Sequence, residues 1–377
     1  MRLGSGLRAA ARPCSARSVS AIGLAVIAFA VSGCDRAPER AGATPSGPPG
    51  VADPSSVSVH HLSGTALGTT WNVRVVSEAA DFDRSSTTRT IEETLRALDQ
   101  IYSTWRSDSE LSELNVHPAA ERIEVSDPLG EVLQIALDLA AATEGAFDPT
   151  VLPVLLIQPP RVSTAPTAEA LSSARSRVDF RKIESLGEDS VRKLSSETAI
   201  ELSAVAKGYC VDAVSYVLFA SGFESHLVEI GGEVLCRGQK PGEQPWRIAI
   251  EAPPPTGSER NQNAAMGDSG VQRIVELRDR AQATSGHYRQ FVQSGGASRS
   301  HIVDARSGET PVDGPISVSV SAPTCAVADG LATALMVVPE SGVEAVLERF
   351  GRGGVEVLAI YRDGDGAKVR ERDFRFD

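Results

Sequence analysis

Asp329 and Thr333 stand four residues apart in an otherwise apolar stretch that follows Pro323. On a helix that spacing puts a carboxylate and a hydroxyl on one face. Two hard oxygens near a helix start suit Mg²⁺, which takes one or two protein oxygens and completes its shell with water and substrate phosphates. The same spacing also serves a plain helix, with Asp329 complementing the dipole and Thr333 bonding back to a carbonyl. A second polar patch runs from Glu201 through Ala204 to Lys207-Gly208-Tyr209, where a strand end enters a helix. Lys207 in the first turn opposes the helix dipole unless an anion lies near; on pattern alone it reads equally as a solvated side chain.

Two further clusters hold chemistry-bearing groups. Thr143-Glu144-Gly145-Ala146-Phe147-Asp148-Pro149-Thr150 places an aromatic and an acid just past a helix end, and a simple cap and turn would use the same residues. Ser285-Gly286-His287-Tyr288 and Ser300-His301-Ile302-Val303-Asp304 bring two histidines and an aspartate close in sequence. Histidine is the usual base near neutral pH, although His301 taken alone suits a structural hydrogen bond as well. The P-loop, dinucleotide, G-x-S-x-G and H-E-x-x-H signatures are all missing. Ser190-Val191-Arg192-Lys193 matches S-x-x-K, but neither S-D-N nor K-T-G accompanies it.

In order along the chain, these clusters resemble the ApbE family, the FAD:protein FMN transferases. The resemblance is carried by Gly68-Thr69-Thr70-Trp71, by Ser103-Thr104-Trp105 through Ser112-Glu113-Leu114-Asn115, and by Gly145 to Thr150. It continues through Ala206-Lys207-Gly208-Tyr209, Glu229-Ile230-Gly231-Gly232-Glu233, Ser285 to Tyr288, Ser300 to Asp304, and Ala322-Pro323-Thr324 to Thr333. Each motif alone is weak, whereas the ordered set across about residues 60–340 is specific.

The resemblance implies an enzyme that binds FAD and Mg²⁺, breaks the FAD pyrophosphate, releases AMP and joins FMN to a Thr or Ser of a partner protein. The implied acceptor is a membrane subunit of a respiratory or redox complex. The implied metal ligands are the backbone carbonyl of Ala204 and the side chains of Asp329 and Thr333. Flavin contacts are implied for Leu67, Trp105, Ala146, Phe147, Asp148, Glu201, Lys207 and Ile302, and catalysis for His301, with Asp304 beside it as the other candidate base. Departures from the family pattern are Gly330 for Ala, Glu201 for Asp, Ser203-Ala204 for Gly-Gly and Leu67 for Met or Phe; none removes an essential chemical group. Two other readings stay open: an FAD pyrophosphatase with water as acceptor, and a non-enzymatic FAD-binding lipoprotein.

The elements that must position these residues read as α+β, with mixed or antiparallel sheets and packed helices. Strand character covers Val57–His61 and Thr69–Val76, then Ala199–Leu202, Leu227–Ile230, Trp246–Glu251, Gln272–Leu277, His301–Val303, Ile316–Ser321 and Gly354–Tyr361. Ile91, Leu95, Leu98 and Tyr102 recur at helical spacing. Further helices are expected from near Pro128 to before Gly145, at Val205–Ala220, at Val327–Val338 and at Gly342–Phe350. Gln158–Thr167 and Ala252–Asp268 read as loops.

Ahead of this body, residues 1–33 carry four arginines, no acids and the apolar run Ala21–Val31, the pattern of a signal peptide. Val31-Ser32-Gly33-Cys34 resembles a bacterial lipobox, which makes Cys34 the lipidated first residue, and Asp35 resembles an inner-membrane retention signal. The expectation is therefore a lipid anchor on the periplasmic face of the inner membrane, a flexible Ala/Pro/Gly/Ser tether over 34–56, and a body over 57–377 with the length for two subdomains. Among 377 residues the net charge is −12 and aromatics are only 5%, which argues against nucleic-acid binding. Cys210, Cys236 and Cys325 remain after processing; three is odd and no C-x-x-C occurs, so buried thiols are expected.

Overall fold

The computed structural model describes residues 57–78, 82–159, 165–187, 189–254, 270–287, 291–294, 297–300, 302–311, 314–362 and 369–377, with backbone alone for 291–294 and 297–299. The signal sequence, Cys34, the tether and His301 lie outside them, as do parts of both expected loops. Alternating apolar residues build the first hairpin, β1 (Val57–Ala66) and β2 (Thr69–Glu78), paired from Val57–Glu78 to Ala66–Thr69. The turn between them is Leu67-Gly68 with φ of 52° and 71°. Two positive φ values match the twist that a tight hairpin needs.

Small elements follow: α1 (Arg84–Tyr102), α2 (Glu110–Val116), β3 (Arg122–Glu124), α3 (Asp127–Ala142), α4 (Leu152–Ile157), α5 (Ala168–Arg175), β4 (Ile183–Ser185) and β5 (Ser190–Lys193). Next come α6 (Ser203–Ala220), β6 (Ser225–Ile230), β7 (Glu233–Arg237), β8 (Trp246–Glu251), β9 (Val271–Leu277) and β10 (Arg280–Gly286). The chain continues with β11 (Phe291–Ser294), β12 (Ala297–Ser300), β13 (Ser317–Ala322), α7 (Cys325–Leu335), α8 (Val343–Phe350), β14 (Val355–Arg362) and β15 (Val369–Phe376). The large sheet runs β1-β2-β6-β7-β10-β13-β14-β15, each neighbour antiparallel. Thus the α+β reading stands. Helices α6 and α7 pack on each other and on the strands of this sheet, and α1 and α3 pack against them. Among the described residues no helix is long and apolar enough to cross a membrane.

Local chemistry explains the helices. Asp83 caps α1 by accepting from the N–H groups of Ser85 and Ser86, and Ile91, Leu95, Leu98 and Tyr102 form its buried stripe. Ser126 caps α3, and Pro128 sits in its first turn. By contrast, α6 is apolar around most of its circumference and α7 is almost wholly buried, as helices inside a core must be.

Two expected strands do not form. Ala199–Leu202 has no strand partner. Instead the Asn115 amide pairs with Ile200, donating from Nδ2 to its carbonyl at 2.9 Å and accepting from its N–H at 2.6 Å. One side chain thus does the work of a neighbouring strand. Ile302 and Val303 likewise lie outside any ladder. The S-x-x-K match is structural: Lys193 is fully buried on β5, and its Nζ donates to the carbonyls of Leu114, Asn115 and His117 at 3.2, 2.7 and 3.3 Å, closing the end of α2. Cys210, Cys236 and Cys325 are buried free thiols.

His226 on β6 is buried, with Nδ1 2.8 Å from the Phe223 carbonyl and Nε2 2.7 Å from Ser215 Oγ. A neutral ring satisfies both, donating from Nδ1 and accepting the Ser215 hydroxyl. Burial pushes its pKa down to about 4. An unfolded histidine titrates near 6.5, so between those values the unfolded chain binds the extra proton. Stability contributed here is complete above about pH 6.5 and is lost as pH falls toward 4, on the order of 3 kcal/mol in all. Denaturant midpoints measured across pH 4–7 should fall with acid, and His226→Gln should flatten that slope; a parallel slope in the variant removes His226 as its source.

Candidate functional site

The first turn of α6 follows a segment fixed from three sides. Ile200 is held by Asn115, the Glu201 N–H donates to the Pro149 carbonyl at 2.7 Å, and Glu201 Oε1 accepts from the Ser203 N–H at 2.9 Å. Burial lifts the Glu201 carboxyl above the usual range, offset by that hydrogen bond. Ala204 lies in this turn and Lys207 one turn on.

Helices α6 and α7 cross almost backbone to backbone at Gly208. A Cβ there would stand 2.3 Å from the Cys325 carbonyl oxygen and 2.8 Å from the Ala326 nitrogen. Four residues along α6, Asp212 caps the start of α7, its two oxygens accepting from the N–H groups of Cys325 and Ala326 at 2.7 and 2.9 Å. Burial lifts Asp212 to about 7, and those two N–H groups oppose the rise.

This crossing brings Asp329 to α6. Asp329 is 3% exposed, and its Oδ2 accepts from the Gly208 N–H at 2.9 Å. In a regular helix that N–H serves the carbonyl four residues back, here Ala204. Donation to Asp329 competes with that bond and leaves the Ala204 oxygen the better able to accept a cation. Thr333 follows one turn along α7, its Oγ1 3.0 Å from Ser285 Oγ on β10. Lys207 Nζ stands 2.5 Å from Glu233 Oε2 and 3.9 Å from Asp329 Oδ1. Its stem runs beside the β6–β7 turn, where a Cβ on Gly231 would lie 3.3 Å from Lys207 Cδ and 3.1 Å from Thr69. Thr69 in turn follows Leu67-Gly68, so the first hairpin turn opens at this same end.

Among the described residues no three His, Cys, Asp or Glu side chains gather as a metal cage. The donors at hand are one buried carboxylate, one hydroxyl and a helix-start carbonyl, hard oxygens that fit Mg²⁺ better than a soft ion. Gly330, one of the four departures from the resembled pattern, is tightly packed: a methyl there would lie 2.6 Å from Leu139 Cδ1 and 3.1 Å from Val205 Cγ2. Leu139 and Val205 fill the space that an alanine would take.

The Ala146–Asp148 and Ile302–Asp304 segments form a second group. Ala146 and Asp148 are buried and Phe147 packs partly against the core. The Asp148 carboxylate is occupied locally, accepting from the Thr150 N–H, the Thr150 hydroxyl and the Phe180 N–H at 2.7, 2.6 and 2.9 Å; burial lifts its carboxyl. Its side chain therefore shapes the loop. The Ala146 carbonyl accepts from the Ala305 N–H at 2.9 Å, which ties this loop to the segment holding buried Ile302 and half-buried Asp304. Asp304 is engaged by Arg306, with Nη2 at 2.7 Å from Oδ2 and Nε at 3.0 Å from Oδ1. Trp105 is 97% exposed on the α1–α2 loop. That loop is braced by Ser109 and Ser112, whose hydroxyls donate to the Ser103 and Arg106 carbonyls.

Four contributors carried no individual role from sequence: Gly208, Asp212, Glu233 and Ser285. A signal for two of them was present. Gly208 and Asp212 are four apart on α6, the spacing of one helix face, and a glycine there marks where another backbone approaches.

The family model described as the ApbE family matches residues 67–359. An FAD:protein FMN transferase from Vibrio cholerae serotype O1 is 36% identical over 312 residues, covering 82% of this chain and 89% of the relative. The FAD:protein FMN transferase of Salmonella typhimurium is 31% identical over 350 residues, 91% of this chain and 92% of that protein. Among solved structures, flavin transferase ApbE from Vibrio cholerae superposes with a TM-score of 0.72 at 33% identity, covering 84% of this chain and 97% of that one. The apo form of the Pseudomonas stutzeri flavinyl transferase ApbE gives 0.71 at 31% identity, covering 84% and 95%.

Proposed function

Because the chain belongs to the ApbE family, we propose that it is an FAD:protein FMN transferase, which moves FMN from FAD to a Thr or Ser hydroxyl of an acceptor protein. The observation that carries this reading is the buried Asp329 carboxylate, set by Gly208 against the start of α6, with Lys207 beside it and Thr333 one turn along. The acceptor oxygen forms a bond to the FMN phosphorus, the pyrophosphate P–O bond breaks, and AMP leaves with the electron pair. Such transfer needs alignment and charge neutralisation more than covalent help.

Asp329, Thr333 and the Ala204 carbonyl would hold a divalent cation, of which Mg²⁺ is the best match to these oxygens. When bound, that ion neutralises charge on the phosphates. Lys207 adds a compact positive charge near the pyrophosphate. Trp105 gains most from a ligand: a flat ring laid on its exposed face buries apolar area now in water. Phe147 lends an apolar face, with Leu67, Ala146, Glu201 and Ile302 lining the flavin and the Asp148 carboxylate fixing its loop. Since Asp304 is spent on Arg306, His301 is the better acceptor for the hydroxyl proton. Cys34, in its lipobox-like setting, anchors the enzyme to the periplasmic face of the inner membrane, where membrane-bound redox subunits would be its acceptors.

Co-expression with a candidate acceptor subunit, followed by mass spectrometry, tests the reading. The expected result is one FMN added to a Thr or Ser, with AMP formed in equal amount when purified protein, acceptor, FAD and Mg²⁺ are combined. Free FMN with unmodified acceptor would make it a pyrophosphatase, and intact FAD would make it a binding protein.

A further inference from the structure

The motif Glu229-Ile230-Gly231-Gly232-Glu233 has no role in the scheme above. Its two acids act differently. Glu229 builds the turn: its Oε1 accepts from the Gly232 N–H at 2.8 Å and its Oε2 from Asn72 Nδ2 at 2.7 Å. The Gly231 N–H donates to the Thr70 carbonyl at 3.0 Å, which locks the turn to β2. Glu233, the first residue of β7, then faces Lys207 from inside the protein, its side chain only 3% exposed.

We infer that Glu233 is a positioning residue that holds the Lys207 ammonium away from the cation seat at Asp329, so that lysine and divalent cation share the site without competing for one carboxylate. This rests on the reading of Asp329 as a metal ligand. Lys207 is confined from two sides. Its stem lies along the Gly231 turn, and its ammonium is 2.5 Å from Glu233 but 3.9 Å from Asp329 Oδ1. A flexible stem carrying a point charge follows the nearest carboxylate. With both acids present, the three groups carry one net negative charge, which favours a divalent cation. Neutralising Glu233 leaves Asp329 as the ammonium's other carboxylate within ion-pair range. The lysine then becomes an internal counter-ion that an incoming cation must displace, and the net charge falls to zero.

Mn²⁺ binding followed by electron paramagnetic resonance on the full chain without FAD reads this directly, with thermal unfolding as the check on folding. Glu233→Gln should weaken Mn²⁺ at least tenfold, and Glu233→Gln combined with Lys207→Met should recover most of that loss. Lys207→Met alone should bind Mn²⁺ at least as tightly as the unaltered chain, a test that stands even if Glu233→Gln folds poorly. Undiminished binding by Glu233→Gln, a double variant as weak as the single, or weakened binding by Lys207→Met each overturns the proposal. Asp329→Asn separates the two ideas: it should abolish binding, and if it binds Mn²⁺ normally the metal reading falls and takes this inference with it.

Discussion

Asp329→Asn lowers FMN transfer on the order of 10³-fold, while the protein unfolds at nearly its original temperature. The asymmetry follows from how the side chain is held. One oxygen receives the Gly208 N–H at 2.9 Å, and the asparagine carbonyl can receive the same proton, so the helix crossing keeps its bond. What disappears is the buried negative charge that a divalent cation needs. Initial rates over a Mg²⁺ series, taken with a thermal unfolding curve, check both halves. A variant with the original rate at every Mg²⁺ concentration removes Asp329 from the chemistry. A variant that loses activity only because it unfolds assigns Asp329 to packing.

Gly208→Ala is expected to damage both stability and rate. Its methyl would lie 2.3 Å from the Cys325 oxygen and 2.6 Å from the Cys325 carbonyl carbon. Those atoms belong to the first turn of α7, which Asp212 holds through two N–H groups, so nothing there can rotate aside. Relief requires the two helices to separate, at a cost of about 3 kcal/mol by the usual scale of overpacking. The same shift moves Asp329 away from the start of α6, and a misplacement of about 1 Å is enough to cost about 10²-fold in rate. Denaturant midpoints and transfer rates of the variant measure the two losses. If alanine is accepted with unchanged stability, the close crossing is not a constraint on this protein.

Much of the site could be read from sequence because its parts are local. Asp329 and Thr333 share a face through four-residue spacing, and Ser126 and Pro128 announce α3 where it starts. Other elements leave a weaker trace in the sequence. Strand β15 alternates, but much of its length is charged and exposed, as suits a sheet edge. The Ala199–Leu202 segment looks like a strand by composition, yet its partner is one asparagine amide 85 residues away. Lys193 matches only an S-x-x-K pattern until the carbonyls of Leu114 and Asn115 in α2, and of His117 just past it, are seen around its ammonium.

The amino-acid order alone determined which groups are available: the ordered motifs, the α+β composition and a carboxylate–hydroxyl pair on one helix. Only the tertiary structure decided that Gly208 meets Asp329 across 121 residues, that Glu233 takes the Lys207 ammonium, and that Asp304 is committed to Arg306. The reason is physical. Helical and strand periodicity repeats within a few residues and is written locally, whereas the choice of partner for a buried charge depends on which backbones can approach closely, and that is settled only when the helices pack.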